Sequence, residues 1–112
     1  MTPLDVAQAQ LEAYNRRDLD AFCALFAEHA EIFELGAPSP ASSGIAAIRE
    51  RYRELFASSP NLHSVVLSRT AFARAVVDLE RITGRNGCAE PFEILAIYEI
   101  HGELIQRVHF VR

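Results

Sequence analysis

Glu34 stands between Phe33 and Leu35 in the stretch EIFEL (31–35), an apolar run that stops at GAPSPASSG. A carboxylate taken out of water is costly unless it is paired or protonated, so its place there needs a reason. If the run is extended, Phe33 and Leu35 share one face and Glu34 takes the other, which is either a pocket or solvent. At the other end of the chain, ELIQRVHFVR (103–112) alternates so that Ile105, Arg107, His109 and Val111 share a face. An arginine and an imidazole two residues apart, facing a carboxylate from another strand, are the types that proton transfer needs. The carboxylate takes the proton, the imidazole can give or take one and the guanidinium holds an anionic oxygen. The bland alternative is a solvent-facing acid and a strand-end pair that makes salt bridges between subunits.

Other polar residues carry weaker signals. Tyr14, Tyr52 and Tyr98 fall at core-facing periods, which reads as wall packing with a satisfied hydroxyl. Asp78 and Glu80 alternate in VVDLERITG (76–84). Facing inward they would be a second carboxylate pair; facing outward they are a solvated edge, and the outward placement is preferred. His63 begins a strand, His29 ends a helix where an imidazolium complements the dipole, and His101 occupies a turn. No H-x-x-x-H, C-x-x-C or three-histidine spacing is present, GIAAIRE has no phosphate-cradling glycines, and Ser42-Ser43 is not a nucleophile elbow. No metal, nucleotide or other cofactor is expected. Cys23, in a helical pattern, and Cys88, in a glycine-flanked turn, read as free thiols.

The elements that must position these residues follow from periodicity and punctuation. Thr2-Pro3-Leu4-Asp5 has the composition of a helix start, and Leu4, Ala7, Leu11 and Tyr14 continue one apolar stripe until about Arg17. Asp18 can cap a second helix whose buried face is Leu19, Phe22, Cys23 and Phe26, ending at His29-Ala30. Residues 30–35 read as a short strand and GAPSPASSG as a loop. Ile45, Ile48, Tyr52, Leu55 and Phe56 mark a third helix, stopped by SSP at 58–60. From residue 61 the period changes to two. Four strand-length segments follow, separated by turn signals such as Asn86-Gly87 and His101-Gly102, which implies an antiparallel meander. Helices followed by strands argue for an α+β domain with the helices on one face of a bent sheet. In the fourth strand segment Ile94, Ala96, Tyr98 and Ile100 share one face and Leu95 and Ile97 the other, so both faces are apolar. The second apolar face predicts a homodimer through the sheet.

The 112 residues are read as a single domain, 1–112, with net charge −4 and 50% hydrophobic residues. All eleven basic residues are arginines and they are scattered, which leaves no footprint for nucleic acid. No apolar run is long enough for a membrane span and the first residues lack the pattern of a signal peptide, so a cytoplasmic location is the expectation.

Three segments, YNRRDLDAFCALFAEHAEIFEL (14–35), SGIAAIRERY (43–52) and IYEIHGELIQRVHFVR (97–112), resemble the nuclear transport factor 2-like superfamily, in particular its SnoaL-like and ketosteroid-isomerase-like branch. The resemblance runs over nearly the whole chain. It implies a cone-shaped, cystatin-like α+β fold, three N-terminal helices packed on a strongly curved antiparallel sheet that encloses a pocket, usually in a dimer. It also places Glu34 where ketosteroid isomerases carry the carboxylate that moves the proton, and turns the face of Arg107 and His109 toward the pocket. The isomerase's two oxyanion donors fall on Gln10 and Ala96, so steroid isomerisation itself is not expected. The pocket walls would come from Gln10, Tyr14, Phe33, Tyr52, Ala96 and Tyr98. The function this implies is binding of a hydrophobic small molecule, with cofactor-free acid–base chemistry (isomerisation, cyclisation or dehydration) by Glu34, His109 and Arg107. The alternative is a non-catalytic ligand-binding or dimerisation module.

Overall fold

The computed structural model describes residues 1–112. Helix α1 (Pro3–Arg16) starts where the Thr2 hydroxyl accepts the Asp5 amide at 3.2 Å and the Asp5 carboxylate accepts the Thr2 amide at 2.9 Å. It stops because Arg17 turns left-handed, at φ 54°. Asp18 then caps α2 (Leu19–Cys23), its carboxylate accepting the Ala21 amide at 3.1 Å. The helical reading of residues as far as His29 needs correction. Strand β1 (Phe26–Glu34) begins three residues after α2 ends, because the Leu25 carbonyl already accepts the Ile105 amide at 2.8 Å. Pairing with the last strand overrides the local period, and His29 becomes an exposed strand residue. The spacing of Phe22 and Phe26 still reported a true contact, with ring centroids 5.1 Å apart.

The chain continues through β2 (Ser42–Ser43), α3 (Ile45–Ser58), β3 (His63–Phe72), β4 (Ala75–Thr83), a 3₁₀ turn (Arg85–Gly87), β5 (Phe92–His101) and β6 (Leu104–Val111). One sheet of order β2-β1-β6-β5-β4-β3 carries all six strands. The meander β3 to β6 is antiparallel, whereas β1 runs parallel to β6, so the sheet is mixed. The helices cover one face. Between them and that face lies a core centred on Phe22, whose ring stands 4.4 Å from Tyr52, 5.1 Å from Phe26 and 5.8 Å from Phe56.

Two bulges decide which side chains share a face. In β6, Arg107 lies opposite Glu99 but Ile105 lies opposite Ile100, leaving Gln106 as the extra residue. Ile105 and Val108 therefore both point into the core, while Arg107, His109 and Val111 point to the uncovered side. In β3, Val66 lies opposite Glu80 and Ser68 opposite Leu79, so Leu67 is extra. Ser64, before that bulge, and Arg69, after it, thus reach the same face despite their odd separation.

Candidate functional site

A small cavity of about 40 Å³ opens between α1, α3 and the inner face of the sheet. Gln10, Glu80 and Tyr98 form its floor, all less than a tenth exposed. Tyr14, Tyr52, Leu55, Ile82, Ile94 and Phe110 form its walls, and Arg51, Arg85 and Arg112 its mouth. Its volume suits about two or three waters or a molecule of a few non-hydrogen atoms.

Glu80 gives the floor its chemistry. The Ser64 hydroxyl donates to Oε1 at 2.7 Å, and the Tyr98 hydroxyl lies 3.2 Å from Oε2 and 3.3 Å from Oε1 of Gln10. No cation pairs with this carboxyl. Asp78, two residues earlier on the same face, is different: Arg69 grips it with two bonds of 2.7 and 2.9 Å and also donates to Gln8 at 2.8 Å. Burial pushes the Glu80 carboxyl above its ordinary value of 4.5; the Ser64 bond opposes this and the nearby Asp78 charge adds to it. Hydroxyl rotation can serve either protonation state. When Glu80 is ionised, Tyr98 donates to it; when it is protonated, Glu80 can donate to the Tyr98 oxygen while Tyr98 donates to Gln10.

Backbone contacts hold this group in place. The Asn15 amide spans β3, its Oδ1 accepting the Ser64 amide at 2.8 Å and its Nδ2 donating to the Ser64 carbonyl at 3.0 Å, so the end of α1 fixes the Ser64 hydroxyl. Arg17 adds a bond of 2.8 Å to the Leu62 carbonyl. Around the walls, burial pushes Tyr14 and Tyr52 up from the usual phenol value, so both stay protonated. Neither hydroxyl has a protein partner and no buried polar atom is left unsatisfied, so both oxygens are at least partly accessible, and both residues line the cavity. They are free O–H donors beside a titratable acid.

The family model described as the SnoaL-like domain matches residues 7–108. The chain belongs to this family. The domain resembles an uncharacterised cystatin-fold protein from Novosphingobium aromaticivorans at 26% identity and TM-score 0.91, covering 100% of this chain and 99% of that one. A protein of ketosteroid-isomerase-like fold from Catenulispora acidiphila, solved in complex with trimethylamine, aligns at 18% identity and TM-score 0.78, covering 98% and 85%. An LEH-like epoxide hydrolase from M. tuberculosis aligns at 14% identity and TM-score 0.83, covering 97% and 80%. These last two likenesses show the fold alone. No curated protein matches the chain. The α+β, cystatin-like architecture and the nuclear transport factor 2-like membership implied by the sequence resemblance both hold.

Within this SnoaL-like domain the three residues read from the sequence as a proton-transfer group do not meet. Glu34 is on the inner face, but at the rim, 43% exposed and paired to Arg112 at 2.9 Å. Arg107 and His109 are on the opposite side of the sheet, because the bulge at Gln106 reverses their phase. There Arg107 pairs with Glu99 at 3.2 Å, and the His109 ring stacks on Phe33 at 5.0 Å. The expected approach of a carboxylate to an imidazole and a guanidinium is therefore corrected. Phe33 also leaves the pocket for the outer face, and Ala96 is sealed in the core. Gln10, Tyr14, Tyr52 and Tyr98 do line the cavity. Asp78 and Glu80, read as an outward edge, are 1% and 7% exposed and face inward. The missed acid, Glu80, had one legible signal: it shares a face with Val76 and Ile82.

Proposed function

We propose that this domain binds a small, largely apolar molecule in the cavity and moves a proton on it, with Glu80 as the acid–base group. The observation that carries this reading is a buried carboxyl, raised by burial and held only by hydroxyls, at the floor of an opening lined by two free phenol donors. For a carbonyl ligand, ionised Glu80 would take a proton from the adjacent carbon. Tyr14 and Tyr52 would hydrogen-bond the oxygen on which charge develops, a role that Gln10 and Ala96 do not fill. Glu80 would return the proton at another carbon, giving isomerisation, or, for a β-hydroxy carbonyl ligand, to the hydroxyl, which leaves as water as its C–O bond breaks and the Cα–Cβ double bond forms, giving dehydration, in either case without a cofactor.

The test is incorporation of solvent deuterium into butan-2-one and 2-oxobutanoate, followed by NMR. Glu80→Gln should lower any exchange above the buffer rate by about 100-fold or more, while Glu34→Gln and His109→Gln change it little. Exchange by the wild-type protein no faster than buffer would remove the catalytic reading. A second reading, a non-catalytic binding domain, is favoured by the small size of the cavity.

A further inference from the structure

The charge at the mouth of the cavity is not explained by the acid at its floor. The chain carries a net charge of −4, yet three of its eleven arginines, Arg51, Arg85 and Arg112, ring this one opening. Arg112 is engaged by Glu34. Arg51 and Arg85 have no carboxylate partner, unlike Arg49, Arg53, Arg69, Arg81 and Arg107, each of which has one. In an acidic protein with fifteen carboxylates, two unpaired guanidinium groups at a single opening are a local positive field, focused by the low-dielectric walls.

Both guanidinium groups are held by packing. Arg51 lies over the rings of Tyr52 and Phe110, at 5.9 and 6.0 Å, and Arg85 over Phe92 at 5.6 Å. A guanidinium held over a ring can still donate through its N–H groups. The turn that carries Arg85 is itself pinned. Gly84 adopts φ +78° with its backbone so close to Asn61 that a Cβ would stand 2.2 Å from the Asn61 carbonyl oxygen. Next to it the Asn86 amide donates to the Ser59 hydroxyl at 2.8 Å. The arginine is therefore delivered to the mouth by a constrained turn.

We propose that the ligand of this cavity is a small monocarboxylate, its anionic head at Arg51 and Arg85 and its short apolar body against Tyr52 and Ile94. The inference rests on the reading of the cavity as a small-molecule site and adds its charge class. A neutral ligand of the same shape would leave both guanidinium groups unused, and a cationic one would be repelled at the entrance. The carboxylate head stays at the mouth, where water still reaches it, so its desolvation cost is modest, while the tail lies against Tyr52 and Ile94.

The experiment compares sodium butyrate with butyramide, the same skeleton without the charge, by amide chemical-shift titration at matched ionic strength. Butyrate should bind about tenfold or more tighter than butyramide, shifting the amides of Tyr52, Arg85 and Ile94. Arg51→Gln and Arg85→Gln should each reduce that preference, and the double variant should abolish it. Raising the salt concentration should weaken butyrate alone. Arg51→Lys with Arg85→Lys should keep part of the preference, which separates lost charge from a damaged fold. Equal binding of the two compounds, or a preference that survives the double Gln variant, would overturn the carboxylate inference and leave the cavity reading standing. Absence of shifts at the cavity with either compound would overturn both.

Discussion

Two carboxylates of β4 show how partners set the role of a residue. Asp78 and Glu80 point to the same side of the sheet, but Asp78 is matched by a bidentate guanidinium and Glu80 by two hydroxyls. Removing the match should be costly. Arg69→Ala leaves Asp78 buried and uncompensated and should destabilise the fold by about 3–5 kcal/mol, read from urea unfolding. Glu80→Gln should act in the opposite direction, because it removes a group that is strained when ionised. The sign follows from linkage: a carboxyl whose folded value lies above 4.5 keeps its proton longer in the folded state than in the unfolded one. Its contribution is fully present below that value and is lost as pH rises through the raised folded value. Unfolding free energies measured from pH 4 upward should therefore show Glu80→Gln gaining on the wild type as pH rises. A constant difference across that range would mean that Glu80 titrates normally.

At the scale of elements, stability and site geometry depend on different features. Stability concentrates at the helix corner, where Phe22 is fully buried among the rings of Tyr14, Phe26, Tyr52 and Phe56. Phe22→Ala should cost about 3–5 kcal/mol, seen as a lower urea midpoint with an unchanged slope. Site geometry depends on the phase of the strands. The helices were legible because their starts are local: the Thr2 box, the Asp18 cap and the apolar stripe of α3 all lie within a few residues of what they control. Most of the meander was legible for the same reason, since two of its three turns carry glycines, whereas the β3–β4 turn is made by Ala73 and Arg74. The bulges at Leu67 and Gln106 were not, because neither residue differs from its surroundings and each is extra only relative to the strand across from it. One inverted face moved Arg107 and His109 out of the pocket. Glu80 was missed on other grounds: acids are seldom buried, and the Ser64 and Tyr98 hydroxyls that make its burial tolerable come from 16 and 18 residues away.

For the whole molecule, the two faces of the sheet divide the work. The inner face carries the core and the cavity; the outer face presents Phe33, Val77, Leu79, Leu95, Ile97 and Val111, all partly exposed and uncovered by any helix. We propose that a second copy covers this face. An isologous contact would set each apolar patch against itself, with Arg81–Glu93 and Arg107–Glu99 pairs available at its border. A stable contact of this kind needs about 800 Å² from each partner, which a six-stranded sheet can supply. Sedimentation at micromolar concentration should then give twice the chain mass of 12.5 kDa. Ile97→Glu, placed between Val77 and His109 in the middle of the patch, should reduce it to one chain. Because Ile97 faces away from the cavity, the monomeric variant should bind butyrate as the wild type does. A wild-type protein that sediments as a monomer would leave the apolar face without its partner, and loss of butyrate binding in Ile97→Glu would show that the two faces are coupled through the sheet.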